Sequence, residues 1–264
     1  MAGRRGWRAA LITGAAGGIG RCFADTLAAG GAAVGLLDVS SDGLTRAADA
    51  IRAAGGRVET QCADVSVAAE VSRATETLAS SLGGIDLVIH CAAILGPGLF
   101  ADQPAADFER TVRIDLLGTA NVVRAALPQL RRSRGSIACL ASTAAVHGWP
   151  ALAAYSASKF GVSGFCDAVR AEIARDGVSL TAVYPLLIDT PLLAGENIPP
   201  ILLQGKRLPP QIVVQKTLSA VARRRPRVFI PGTVRLIAAL HGLAPSLLDW
   251  YGRRFGLPRG RASA

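Results

Sequence analysis

The stretch from Ala9 to Ala29 restricts the fold more than any other part of the chain. Ala9-Ala10-Leu11-Ile12 reads as a short buried strand, Thr13-Gly14-Ala15-Ala16-Gly17-Gly18-Ile19-Gly20 as a tight turn, and the residues through Ala29 as a helix. Glycines at 14, 18 and 20 let the turn close and let backbone N–H groups approach a pyrophosphate at the helix N-terminus, where the helix dipole favours negative charge. A glycine-rich turn alone carries little weight, but this one lies between a strand and a helix. The next apolar strand, Ala32 to Leu37, ends in Asp38. A carboxylate there can accept hydrogen bonds from both adenosine ribose hydroxyls and repels a 2′-phosphate, which favours NAD over NADP. The bland alternative is that Asp38 serves only as a cap or turn residue.

Further apolar strands at 58–62, 87–90, 136–140 and 179–184 alternate with helical stretches at 44–54, 67–82, 104–131 and 155–175. Continuous apolar strands alternating with helices predict an α/β fold with a parallel sheet covered on both faces, and a ligand at the strands' carboxyl ends. Asp38, Asp64, Ala92, Ser142 and Pro185 all follow strands, so the candidate polar groups gather on one side. A helix at 210–224 and a strand at 227–230 complete the expected core.

With 264 residues, half of them apolar, and no linker or low-complexity segment, the chain reads as a single domain. Neither a signal peptide nor a transmembrane helix is expected. Five scattered cysteines without a C-x-x-C pair read as reduced thiols of a cytoplasmic protein, and the three histidines have no ligand spacing, so no metal is expected.

The chemistry is expected between Ser142 and Lys159. If Tyr155-Ser156-Ala157-Ser158-Lys159 opens a helix, Tyr155 and Lys159 share a face one turn apart. A phenol with a pKa of roughly 10 is a poor base at neutral pH, and a neighbouring ammonium favours its ionised form. Ser142, just past the strand 136–140, presents its hydroxyl to the same place. Tyr-x-x-x-Lys alone is compatible with a half-buried tyrosine, a solvated lysine and a turn serine.

In combination, Thr13-Gly-x-x-x-Gly-Ile-Gly20, Asp64-Val65, and Ser142 with Tyr155-Ser-Ala-Ser-Lys159 resemble the short-chain dehydrogenase/reductase family over residues 9 to about 191. The resemblance implies a Rossmann-type doubly wound sheet of about seven parallel strands with a nicotinamide cofactor across their carboxyl ends. It implies Tyr155 as the acid/base, Ser142 as the donor that positions the substrate oxygen, and Lys159 on the nicotinamide ribose. Implied cofactor contacts are Gly14, Gly17, Gly18, Ile19, Gly20, Asp38, Asp64, Val65, Cys91, Ala92, Tyr155, Lys159, Pro185, Ile188 and Thr190. Among these, Asp64 would meet the adenine, Ala92 the adenosine side, and Thr190 with Ile188 the carboxamide. A homodimer or homotetramer is implied as well.

Three departures stand out. His90-Cys91-Ala92-Ala93 replaces the usual Asn-Asn-Ala-Gly, Pro185-Leu186 replaces Pro-Gly, and Asp115 stands where the family carries Asn. The family role of that Asn is attributed to a main-chain carbonyl holding a relay water beside the lysine. Asp115 keeps that carbonyl, so it is a fourth catalytic candidate whose replacement by Asn is expected to be nearly silent.

The C-terminal part differs in kind. Residues 1–191 hold 17 Lys+Arg and 17 Asp+Glu, whereas 192–264 hold 12 and 2, which supplies the whole net charge of +10. Residues 192–214 are apolar and Pro-rich, as expected of a lid over an apolar substrate such as a steroid, retinoid or other lipid-like alcohol or ketone. Beyond a core ending at 232, the extension 233–264 interleaves arginines with Leu, Trp, Tyr and Phe. It reads equally as a membrane-surface helix, a subunit interface or a cover over the substrate cleft. Large apolar residues among the arginines argue against nucleic acid as partner. Two function classes follow: an NAD-dependent oxidoreductase acting on CH–OH groups, or a dinucleotide-binding scaffold of the same fold that has lost turnover.

Overall fold

The computed structural model describes residues 6–194, 198–203 and 205–255. Seven strands form one parallel sheet: β1 (Ala9–Thr13), β2 (Ala33–Asp38), β3 (Val58–Cys62), β4 (Leu87–His90), β5 (Ser136–Leu140), β6 (Ser179–Pro185) and β7 (Arg227–Ile230), in the order β3-β2-β1-β4-β5-β6-β7. The order reverses between β1 and β4, and there the connections leave in opposite directions and open a crevice at the strands' carboxyl ends.

The helices before residue 200 are α1 (Gly18–Ala29), α2 (Ser41–Ala53), α3 (Ala68–Leu82), α4 (Ala105–Val112), α5 (Gly118–Ser133) and α6 (Ala153–Ile173). After them come α7 (Pro200–Leu203), α8 (Pro210–Ala222), α9 (Val234–Leu243) and α10 (Pro245–Phe255). Alternate strand residues point to opposite faces, which explains why the core is double. On one face Leu11, Val88 and Ile137 pack against Leu78 of α3, Val122 of α5 and Val162 of α6. On the other Ile12, Leu36 and Ile89 pack against Phe23 of α1, Leu44 of α2 and Val213 of α8. Burying each such large side chain is worth about 1.5–3 kcal/mol, so the sheet is anchored from both sides and its loops are free to specialise.

Three expectations take a more detailed form. The helix expected over 104–131 is broken by a π-helical turn, Arg113–Leu117, between α4 and α5. The stretch expected as a lid, 192–214, begins in a 3₁₀ turn, Pro191–Leu193, and ends inside α8, which packs against α1. Residues 195–197 and 204 of that stretch lie outside the described residues, as do 256–264 of the C-terminal extension. The amphipathic stretch beyond 233 is two helices, because Pro245 can start a helix but not continue one. Val234 sits in the core, and Ile237, Leu248 and Tyr251 face a cavity beside Tyr155.

Candidate active site

The turn between β1 and α1 closes because of two glycines. Gly14 has φ +65°, and a Cβ there would stand 2.8 Å from the Ala92 backbone nitrogen; at Gly20 it would stand 2.1 Å from the Gly14 carbonyl oxygen. No larger residue fits either position without moving backbone. Thr13 ties the turn to β4: its hydroxyl accepts from the Cys91 and Ala92 amides at 3.2 and 3.3 Å and meets His90 Nδ1 at 2.7 Å. Burial, reinforced by Lys159, pushes His90 down to about 3, so this imidazole is neutral. His90 thereby takes a structural place at the centre of the sheet.

A groove of about 790 Å³ runs along the carboxyl ends of β1 to β4, lined by Gly14, Gly17, Gly18, Ile19, Gly20, Asp38, Asp64, Val65, Cys91, Ala92 and Thr190. Nothing lies within 4 Å of where a Gly17 side chain would point, so the α1 N-terminus is open to a ligand. Asp38 Oδ2 accepts from the Ala16 amide at 2.9 Å, and Oδ1 from the Ser40 amide at 3.0 Å. Both oxygens keep further lone pairs for a diol. Asp64 is also a turn residue, its Oδ1 accepting from the Ser66 amide at 2.8 Å. The sequence reading missed the groove's far wall, where α4 and the π turn contribute Glu109, Arg110 and Arg113. Nothing in a one-dimensional pattern marks them, since a solvated helix face looks the same.

A second cavity of about 460 Å³ shares Ile19, Cys91, Ala93, Thr190 and Leu192 with the groove. Ser142, Tyr155 and Lys159 line it, so the sequence-predicted trio does converge, and it does so where the two spaces meet. Pro185, Leu186 and Ile188 lie on this cavity's wall and are absent from the groove's lining. The remaining walls are mostly apolar: Leu95, Trp149, Leu152, Leu193, Leu202 and Leu248 among them. His147, in the loop after Ser142, meets His241 of α9 with Nδ1 atoms 3.2 Å apart, which fastens the C-terminal pair of helices beside this cavity.

Ser142 ends the strand extension after β5 and caps the short turn Thr143–Ala145, its Oγ accepting from the Ala144 amide at 3.1 Å. Tyr155 and Lys159 lie one turn apart on α6, with Lys159 Nζ 5.3 Å from the Tyr155 ring centre. Burial drives the Tyr155 phenol above its ordinary value; Lys159 and the Ser142 hydroxyl pull it down, and Asp115 pushes it further up. Lys159 thus acts on the phenol as the sequence suggests, but its pull is outweighed. Burial works to lower the Lys159 pKa, yet Asp115 and Tyr155 hold the ammonium above its usual range.

Asp115 corrects the sequence reading. Its carbonyl accepts from the Thr119 hydroxyl at 2.6 Å, while its carboxylate points at the lysine, Oδ2 to Lys159 Nζ being 3.1 Å with both side chains sealed from solvent. The side chain, credited with no part, is a direct partner of Lys159. Among the described residues no cluster of His, Cys, Asp or Glu could hold a metal ion.

Fold and site together define a dinucleotide-binding dehydrogenase. A family model described as short chain dehydrogenase matches residues 8–199, and the chain belongs to that family. It is 36% identical over 195 residues to a 2-dehydro-3-deoxy-L-rhamnonate dehydrogenase (NAD(+)) of Sphingomonas sp. (strain SKA58), covering 73% of this chain and 77% of that protein. It is 29% identical over 259 residues to the ketoacyl reductase HetN of Nostoc sp. (strain PCC 7120), covering 94% and 88%. Among solved structures, a dehydrogenase/reductase from Sinorhizobium meliloti 1021 superposes with a TM-score of 0.76 at 24% identity, over 84% of this chain and 92% of that one, and supports the fold. Membership makes the protein an oxidoreductase using a nicotinamide dinucleotide. The residues present fit that group: the open α1 N-terminus suits the pyrophosphate, Asp38 the ribose diol, and Thr190, shared by groove and cavity, the inner end, with Lys159 on the cavity side of that junction.

Proposed function

We propose that the protein is an NAD-dependent oxidoreductase interconverting a secondary alcohol and a ketone, or a primary alcohol and an aldehyde, on an apolar, lipid-like substrate. The observation that carries this is the placement of Ser142, Tyr155 and Lys159 where the groove meets an apolar cavity. Bound cofactor supplies the hydride acceptor or donor. Ser142 Oγ orients the substrate oxygen, Tyr155 Oη takes or returns its proton, and the Lys159 ammonium stabilises the phenolate. The leucine-rich walls exclude water. Support for an apolar substrate comes from the cavity lining and from the relative named a ketoacyl reductase; support for NAD comes from Asp38 and from the relative whose name carries NAD(+). With a panel of secondary alcohols followed at the reduced-nicotinamide absorbance, kcat/KM is expected to favour NAD over NADP, and Asp38→Ala to narrow the gap. Equal binding of both cofactors to the wild type by calorimetry would remove the ribose role from Asp38.

We also propose that, within the cytoplasm, the outer face of α9 and α10 rests on an anionic membrane surface, from which the cavity draws its substrate. Leu236, Leu243, Leu247 and Trp250 are each more than half exposed, and Arg235, Arg253 and Arg254 lie on the same two helices. A homodimer through this face would set two copies of the same basic segment against each other, whereas anionic lipid complements it at about 1 kcal/mol per basic residue near the surface. No helix among the described residues is long and apolar enough to cross a membrane. Co-sedimentation with phosphatidylserine-containing vesicles is expected at low salt and is expected to fall at high salt. Absence of lipid binding at low salt, together with a dimer that Leu243→Glu dissociates, would replace the membrane by a second copy.

A further inference from the structure

The π-helical turn Arg113–Leu117 gives the site a carboxylate in place of a neutral amide. Asp115 is fully buried, and its Oδ1 accepts from the Ile94 amide at 2.9 Å. Its Oδ2 has no other donor within reach and faces Lys159 Nζ at 3.1 Å. Lys159 Nζ in turn donates to the Leu140 carbonyl at 3.3 Å. Each packed element adds a titratable group: β4 and its loop bring His90 and Cys91, β5 brings Cys139, and α6 brings Tyr155. His90 is held neutral, and burial pushes the Cys91 thiol up; hydrogen bonding to Cys166, with burial, does the same for Cys139. The charges around the phenol therefore reduce to one ammonium and one carboxylate.

From this geometry we infer that the Asp115 carboxylate is a positioning residue that fixes Lys159 through a buried ion pair and offsets part of its pull on Tyr155. The phenol then ionises at a higher pH than it would with a neutral side chain at position 115. Replacing Asp by Asn preserves shape and the acceptor for Ile94 while removing the charge, so the lysine acts on the phenol unopposed. Asp115 acts on the phenol directly, raising it, and a unit charge removed within about 10 Å in a medium of effective dielectric about 20 is worth about one pKa unit or more.

The inference rests on the proposed acid/base role of Tyr155, and its test is made to stand apart from turnover. Tyrosine ionisation is followed by ultraviolet difference titration of the full chain. The spectrum of the matching Tyr155→Phe protein is subtracted, so that Tyr184 and Tyr251 cancel, and circular dichroism marks the folded range. In Asp115→Asn, and in Asp115→Ser as a second variant, the Tyr155 midpoint is expected about one unit or more lower than in the wild type. Where a substrate is in hand, the rising limb of the rate against pH moves the same way, at pH values where the fold is secure. An unchanged midpoint, or one displaced to higher pH, overturns the inference. A shifted titration in a protein that turns over no alcohol would keep the ion-pair role and defeat the enzyme reading instead.

Discussion

With Tyr155 as the proposed acid/base, Tyr155→Phe is expected to lower the turnover rate by about 10²- to 10⁴-fold and to leave dinucleotide affinity within a few fold. The expected loss is that of a positioned acid/base. The affinity is expected to survive because the groove is built from other parts: the glycine turn, Asp38, the Asp64 turn and the Cys91-Ala92 backbone. Tyr155 lines the apolar cavity and is absent from the groove, so removing its hydroxyl takes away the proposed proton acceptor without reshaping the groove. Steady-state kinetics with calorimetric titration of the cofactor check both halves. Substantial activity in the variant would return Tyr155 to the status of a buried core residue.

The parts of this site that were legible in the sequence share a physical cause. Strands such as Leu87–His90 and Ser136–Leu140 are short, mostly apolar and buried throughout, and Asp86 and Gly135 mark their starts, because both faces of a parallel sheet are covered. Tyr155 and Lys159 could be paired because a helix fixes the spacing of residues four apart. The π turn could not be read: 113–117 continues the apolar rhythm of the flanking helices, and neither glycine nor proline interrupts it. Without that turn the side chain of residue 115 cannot be aimed from sequence, and resemblance directed attention to its carbonyl. One signal was available, a lone acid between Ile114 and Leu116-Leu117 in a stretch otherwise fit for burial. A carboxylate there asks for a buried cation, and Lys159 is the only lysine before residue 192. The fold-back of α9 and α10 onto the cavity was legible only as one alternative among three, because an amphipathic helix shows its apolar side but not what that side meets.

Lys159→Met is expected to cost stability as well as activity. Methionine fills much of the lysine's volume, but it leaves Asp115 sealed in the interior with only the Ile94 amide as donor. Breaking a buried pair in this way costs about 3–5 kcal/mol, because the surviving charge is uncompensated. For a domain of this size that lowers Tm by roughly 10 °C. Burial already lifts the Asp115 carboxyl above its ordinary 3.8, and Lys159 is the largest influence holding it down. With the lysine gone the carboxyl rises further, so its folded value exceeds its unfolded one. Such an acid is destabilising above its unfolded pKa, and the penalty disappears as protonation becomes favourable in both states. The Tm deficit is therefore largest at neutral pH and shrinks as pH falls toward 3.8. The double variant Lys159→Met/Asp115→Asn removes the stranded charge and is expected to recover most of the loss at pH 7. Differential scanning calorimetry of wild type, single and double variants across that range checks the pattern. A Lys159→Met deficit that neither varies with pH nor is relieved by Asp115→Asn would mean that the lost energy was packing and hydrogen bonding of the lysine stem, and that the carboxylate was never charged in the folded protein.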